Sequence, residues 1–144
     1  MSTIKGTCLC SGVAFEIEGK TGPIGQCHCS KCRKVSGTDG NAVSYANAKS
    51  FRWLRGENLI RTYLVPDGNG WASTFCGTCG SPLPHTDNAK KIYFVPAGLL
   101  DDDPGHRGYA AHIWVESKAS WVEIADNAPR FAEGIGSRRL DEPS

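Results

Sequence analysis

Three cysteines fall within six residues in Cys27-His28-Cys29-Ser30-Lys31-Cys32-Arg33-Lys34, and two cations follow at once. Thiolates this close together suit zinc, which takes sulfur at about 2.3 Å in a tetrahedron that tight local spacing can wrap. A set of small buried apolar cysteines is the competing reading. His28, Lys31, Arg33 and Lys34 make the stretch too polar for that role. The other four cysteines come as two pairs, Cys8-Leu9-Cys10 and Cys76-Gly77-Thr78-Cys79. Two pairs make a closed four-sulfur site on Cys8, Cys10, Cys76 and Cys79, whereas the triplet Cys27, Cys29 and Cys32 makes an incomplete one. Two zinc ions per chain are therefore expected, one structural and one open or labile. His28, His85 or His112 could supply a fourth ligand to the triplet, although a packing or surface role suits each of them as well. A redox Cys-x-x-Cys has the same spacing as the second pair, but it expects a helix after its first cysteine, and Gly77, Gly80 and Pro82 oppose one. An iron-sulfur cluster on four of the cysteines is a further alternative.

An open zinc on three thiolates carries a net charge of minus one, so it polarises water poorly and suits a thiol better. A coordinated thiol is deprotonated at neutral pH, and the anionic ligand set keeps its sulfur nucleophilic. The triplet is thus a candidate for activating a small thiol toward an electrophilic carbon. Lys31, Arg33 and Lys34 are placed to receive the carboxylates of such a thiol; a solvated basic turn is the plainer alternative. Tyr45, Trp53 and Trp71 could wall a pocket and could equally fill a core. Asp101-Asp102-Asp103 lacks the alternating ligand spacing of a calcium loop and reads as a solvated turn.

These groups need a frame. With 17 glycines and 8 prolines among 144 residues, turn formers exceed their usual share of about 12 per cent. They separate short segments rich in Val, Ile, Phe, Tyr and Trp, which predicts many short strands. Val13, Phe15 and Ile17 alternate as in a half-buried strand, and extended chain across Cys8 and Cys10 would point both sulfurs to one face. Further strands are predicted at 42–45, 51–54, 59–65, 71–75, 91–95, 111–115 and 120–124. Ser36-Gly37-Thr38 reads as a loop or the end of a helical turn, and Pro66-Asp67-Gly68-Asn69-Gly70 as the turn of a hairpin. Gly77 and Gly80 fit a zinc knuckle that needs a positive φ.

The length fits one domain, expected over 1–130, with a polar C-terminal tail over 131–144. With 16 Lys and Arg against 15 Asp and Glu, no bulk field draws the chain to nucleic acid or to an anionic membrane. Residues 1–6 read as neither a secretory leader nor a transit sequence, and no apolar run has the length of a bilayer crossing. Seven cysteines cannot all pair in disulfides, and a reducing, cytoplasmic setting is expected.

The Cys-x-Cys near the start, Cys-His-Cys-Ser-x-Cys-Arg-Lys-x-Ser-Gly, Phe-Cys-x-x-Cys-Gly-Ser-Pro-Leu and the late His-Ile-Trp-Val-x-Ser-Lys-Ala-Ser-Trp together resemble the glutathione-dependent formaldehyde-activating enzyme (GFA) family, also called the centromere protein V domain family, over roughly residues 3 to 125. The resemblance implies a mainly β, Mss4-like fold, a β-tent of short antiparallel strands stapled by zinc. It implies a structural zinc on Cys8, Cys10, Cys76 and Cys79 and a second zinc on Cys27, Cys29 and Cys32. It also implies a carbon-sulfur lyase that joins glutathione and formaldehyde into S-hydroxymethylglutathione. The expected partners are a small thiol such as glutathione and a small aldehyde. A non-catalytic zinc module that carries glutathione or a protein partner is the alternative.

Overall fold

Short apolar segments broken by glycine and proline cannot make long elements, and in the computed structural model none exceeds seven residues. The structure describes residues 2–142. In chain order the strands and helix are β1 (Thr3–Thr7), β2 (Ala14–Glu18), β3 (Gly25–Cys27), α1 (Ser30–Ser36), β4 (Asn41–Asn47), β5 (Phe51–Arg55), β6 (Ile60–Leu64), β7 (Ala72–Cys76), β8 (His85–Asp87), β9 (Ile92–Pro96) and β10 (Ala111–Ile113), with four single-turn 3-10 helices between them. The protein is mainly β, as expected. Among the described residues, no helix is long and apolar enough to cross a membrane. The chain divides into two compact units, residues 1–22 with 44–105, and residues 23–43 with 106–144.

In the first unit, β2 pairs antiparallel with β1 and with β5. The predicted alternation is overridden in β2, where Ala14, Phe15, Glu16 and Ile17 are all buried. Phe15, Ile17, Ile4, Ala46, Phe51 and Val95 form the core, with Trp53 and Tyr93 packed against it. Phe51 stacks on Tyr93 at 3.9 Å between centroids and on Phe15 at 5.3 Å. Burying a ring of this size is worth about 1.5–3 kcal/mol. Gly6 is required by proximity, since a Cβ there would lie 2.3 Å from Cζ of Phe15 and 2.9 Å from the Leu99 carbonyl oxygen. The expected hairpin is present: β6 and β7 pair from Ile60↔Cys76 to Leu64↔Ala72, and a turn through Asp67, Asn69 and Gly70, all at positive φ, joins them. β8 and β9 form a second hairpin.

In the second unit, β3 pairs antiparallel with the first half of β4 and parallel with β10. A parallel pair needs a long connection, and here more than eighty residues separate the two strands. The predicted strand at 111–115 stops at Ile113, because Trp114 turns left-handed at φ 56°. The strand predicted at 120–124 is absent, and the chain there is irregular. The Lys118 ammonium donates to the carbonyls of Ala119 and Val122, curling the segment, while Trp121 points outward, 70% exposed. Within the expected tail, Phe131 N–H donates to the His112 carbonyl, Ala132 is buried, and Phe131 bridges to Arg139. Pro143 and Ser144 lie outside the described residues.

Candidate metal centres

The Sγ atoms of Cys8, Cys10, Cys76 and Cys79 lie within 4.8 Å of one another. Cys8 and Cys10 do not meet in extended chain, as the sequence suggested. A turn brings them together, closed by Ser11 N–H donating to the Cys8 carbonyl at 3.0 Å with Ser11 at φ 61°. On the other side β7 delivers Cys76, and Gly80 at φ 79° turns its N–H back to the Cys76 carbonyl at 2.8 Å. Gly77 has no positive φ; its Cβ position would crowd the Leu59 carbonyl at 3.0 Å. The spacings fit a metal. Sulfurs at the corners of a tetrahedron with 2.3 Å bonds are about 3.8 Å apart, and Cys8–Cys10 is 3.6 Å and Cys10–Cys76 3.9 Å. Val13 N–H donates to Cys8 Sγ at 3.3 Å, and the Ser81 hydroxyl lies 3.3 Å from Cys79 Sγ, holding that thiol down to about 5. Cys8 and Cys76 are also core residues, packed with Val13 and Leu83.

The triplet is built differently. Cys27 ends β3, Cys29 caps the N-terminus of α1 with its Sγ accepting from Cys32 N–H at 3.4 Å, and Cys32 sits in the first helical turn. Gly37 at φ 68° closes the helix by donating to the Arg33 carbonyl, so the helical reading of Ser36-Gly37-Thr38 holds. The three sulfurs again lie within 4.8 Å of one another, and among the described residues no histidine or carboxylate joins them. As free thiols they share one negative charge: hydrogen bonds from Cys27 and then Cys32 hold Cys29 down to about 2, while the Cys29 contact drives Cys27 up to about 11 and Cys27 drives Cys32 upward too. A dication at the centre is what would let all three ionise together. Both clusters could therefore hold metal ions, and sulfur donors favour zinc.

The cations near the triplet are placed as follows. Lys31 and Lys34, three apart on α1, share one side of the helix, and Lys34 is exposed. Arg33 lies on another side, with a buried Nε that has no hydrogen-bond partner among the described residues. His28 and His112 bond to each other rather than to the sulfurs, Nε2 to Nδ1 at 2.9 Å, and His112 Nε2 reaches Asp126 Oδ2 at 2.9 Å. No local pattern announces this hydrogen-bonded chain, since its three members are 84 and 14 residues apart. Trp53 and Trp71 line a cavity of about 670 Å³ in the first unit; Tyr45 instead packs over Gly22.

A family model described as glutathione-dependent formaldehyde-activating enzyme matches residues 3–117. The chain belongs to that family. All seven cysteines of the GFA match fall in the two clusters just described. A Halomonas elongata protein provisionally named glutathione-dependent formaldehyde-activating enzyme is 28% identical over 127 residues, which cover 84% of this chain and 80% of that protein. A crystal structure of a Rhodobacter sphaeroides protein superposes with a TM-score of 0.57 at 28% identity, over 69% of this chain and 89% of that one. The GFA match stops short of Asp126, so the carboxylate end of the histidine chain lies beyond it.

Proposed function

We propose that this chain is a zinc-dependent enzyme of the carbon-sulfur lyase type, which binds a small thiol such as glutathione and promotes its addition to, or release from, an aldehyde such as formaldehyde. In the forward direction the thiol sulfur forms a bond to the carbonyl carbon, the C=O π bond breaks, and the thiol proton ends on the new hydroxyl. Zinc held by Cys27, Cys29 and Cys32 would supply a position at which a thiol loses its proton and stays nucleophilic. The observation that carries the reading is the count of three: these sulfurs converge without a fourth side-chain ligand among the described residues, as a site that admits substrate requires. Cys8, Cys10, Cys76 and Cys79 hold the structural zinc in the same reading.

Lys31, Arg33 and Lys34 receive the carboxylates of the thiol. Support is strongest for Arg33, whose buried, unpartnered Nε is a donor left without compensation until an anion meets it. The seven cysteines are unbridged, which suits a reducing, cytoplasmic setting. The test is metal content followed by cobalt substitution. Two metals per chain, with one set of thiolate charge-transfer bands shifted by added glutathione, is the expected result. Two metals indifferent to thiols would instead make the protein a zinc module that carries a partner without turnover.

A further inference from the structure

Between the two ligands Cys27 and Cys29 stands His28, fully buried, with His112 behind it 2% exposed. In extended chain, successive side chains take opposite faces, so His28 leaves the ligand strand on the side away from the sulfurs. It is held there twice by β10, through its N–H to the Ile113 carbonyl at 2.9 Å and through Nε2 to His112 Nδ1 at 2.9 Å. His112 Nε2 continues to Asp126, 2.9 Å from Oδ2 and 3.1 Å from Oδ1, and the Asp126 side chain is 44% exposed. The loop carrying Asp126 is itself fixed, since Ala128 N–H donates to Oδ1 at 2.9 Å and the Arg130 guanidinium donates to the Asp126 and Ile124 carbonyls.

We propose that Asp126 and His112 are positioning residues for the cysteine triplet, which fix His28 as its Nε2–H tautomer and pin the segment carrying Cys27 and Cys29. An ionised carboxylate only accepts, so His112 carries a proton on Nε2. The His28 ring is fully buried and, among the described residues, hydrogen-bonds to His112 and to no carboxylate, so it has one proton to place. On Nδ1, that proton would be a buried donor, because Nδ1 has no partner among the described residues, and His112 Nδ1 would need a second proton to fill the gap. On Nε2, it completes an unbroken chain and leaves at Nδ1 only a lone pair. An orphaned donor and an added buried charge both raise the free energy, so the chain runs one way, from His28 through His112 to Asp126. Outer partners of this kind orient a metal's ligands, and their loss typically lowers metal affinity 10–100-fold.

The experiment uses the zinc-loaded full chain with ¹⁵N-labelled histidine and reads tautomers from long-range ¹H–¹⁵N couplings. His28 is expected with Nε2 protonated and Nδ1 bare. In D126N the Ala128 N–H holds the amide oxygen, the amide nitrogen donates to His112 Nε2, and the chain reverses, moving the His28 proton to Nδ1. D126E should restore the wild-type pattern. His28 found as Nδ1–H in the wild type, or unmoved in D126N, overturns the inference, and a merely space-filling Asp126 would leave the tautomer unmoved. Zinc release to a chelator supplies the second readout: in H112A one zinc per chain should leave roughly tenfold to a hundredfold faster, and the other should keep its rate. Equal acceleration of both also overturns it. Only the release experiment rests on zinc occupying the triplet; a chain that holds one zinc would defeat the proposed function and leave the tautomer result decisive.

Discussion

The two sulfur clusters differ less in their donors than in what stands behind them. In the first unit Cys8 and Cys76 are members of an apolar core, packed with Val13 and Leu83 and beside the ring cluster of Phe15, Phe51, Trp53 and Tyr93. In the second unit the triplet backs onto polar groups: the buried residues there include Gln26, His28 and His112, and the buried apolar ones beyond the cysteines are as small as Ala119, Val122 and Ala132. A metal held against the apolar core through Cys8 and Cys76, with Cys10 exposed and Cys79 half-buried, would add its binding energy to folding. A metal on a strand end and a short helix, anchored by directed hydrogen bonds, can exchange without the sheet coming apart. The difference gives the proposed division into a staple and a working site a physical basis to test, beyond the cysteine count.

The comparison breaks most visibly at a ligand. Cys76→Ser is expected to unfold the first unit, because apparent binding energies for structural zinc run to about 10–16 kcal/mol, as large as the roughly 5–15 kcal/mol that holds a domain folded. Cys29→Ser should lose one zinc and the activity while β1, β2 and β5 keep their near-ultraviolet signature from the packed rings. Metal content and circular dichroism of the two variants check this, and matching melting losses would defeat the division.

The apolar half of the comparison is sharpened in the core. Phe15→Ala removes a fully buried ring that touches Phe51 and Trp53 and should cost about 3–5 kcal/mol. Gly6→Ala should cost about 1–3 kcal/mol by overpacking, since its methyl would drive into the same ring. Denaturant melts monitored by tryptophan fluorescence measure both. A cost near zero for Gly6→Ala would mean that Phe15 can swing aside, and the core would be looser than its burial implies.

Much of this was legible in the chain. The partition of seven cysteines into four and three followed from spacing, and the hairpin before Cys76 followed from the turn formers between two β-rich runs. What escaped was decided by tertiary contacts. The helix α1 lacks a Ser or Asp cap and takes Cys29 instead, so its start carried no familiar signal. Cys8 and Cys10 looked extended, but Ser11 at positive φ makes a turn of them. The strand expected at 120–124 had the right composition and no neighbour to pair with. His112 drew notice as a ligand, and Asp126 drew none, because only the fold brings residues 28, 112 and 126 into one chain.

The smallest effect concerns that chain and its response to acid. The His112 hydrogen bond, followed by the Ala128 N–H, holds the Asp126 carboxyl below its ordinary value of 3.8. A carboxyl that is more acidic folded than unfolded contributes stability that is fully present above its unfolded value and is lost as pH falls through the folded one. Asp126 is 44% exposed on its side chain, so solvent screens the gain and a modest effect is expected. Wild type should therefore be more stable than D126N at pH 6, and the gap should shrink from about pH 4 downward. Thiolate clusters also release metal in acid, so zinc content is followed alongside each melt and the midpoints are compared at equal metal loading. A gap that stayed constant down to pH 3 would mean that Asp126 stabilises the second unit through shape alone, and the polar half of the comparison would then lose its electrostatic content while the tautomer chain kept its geometry.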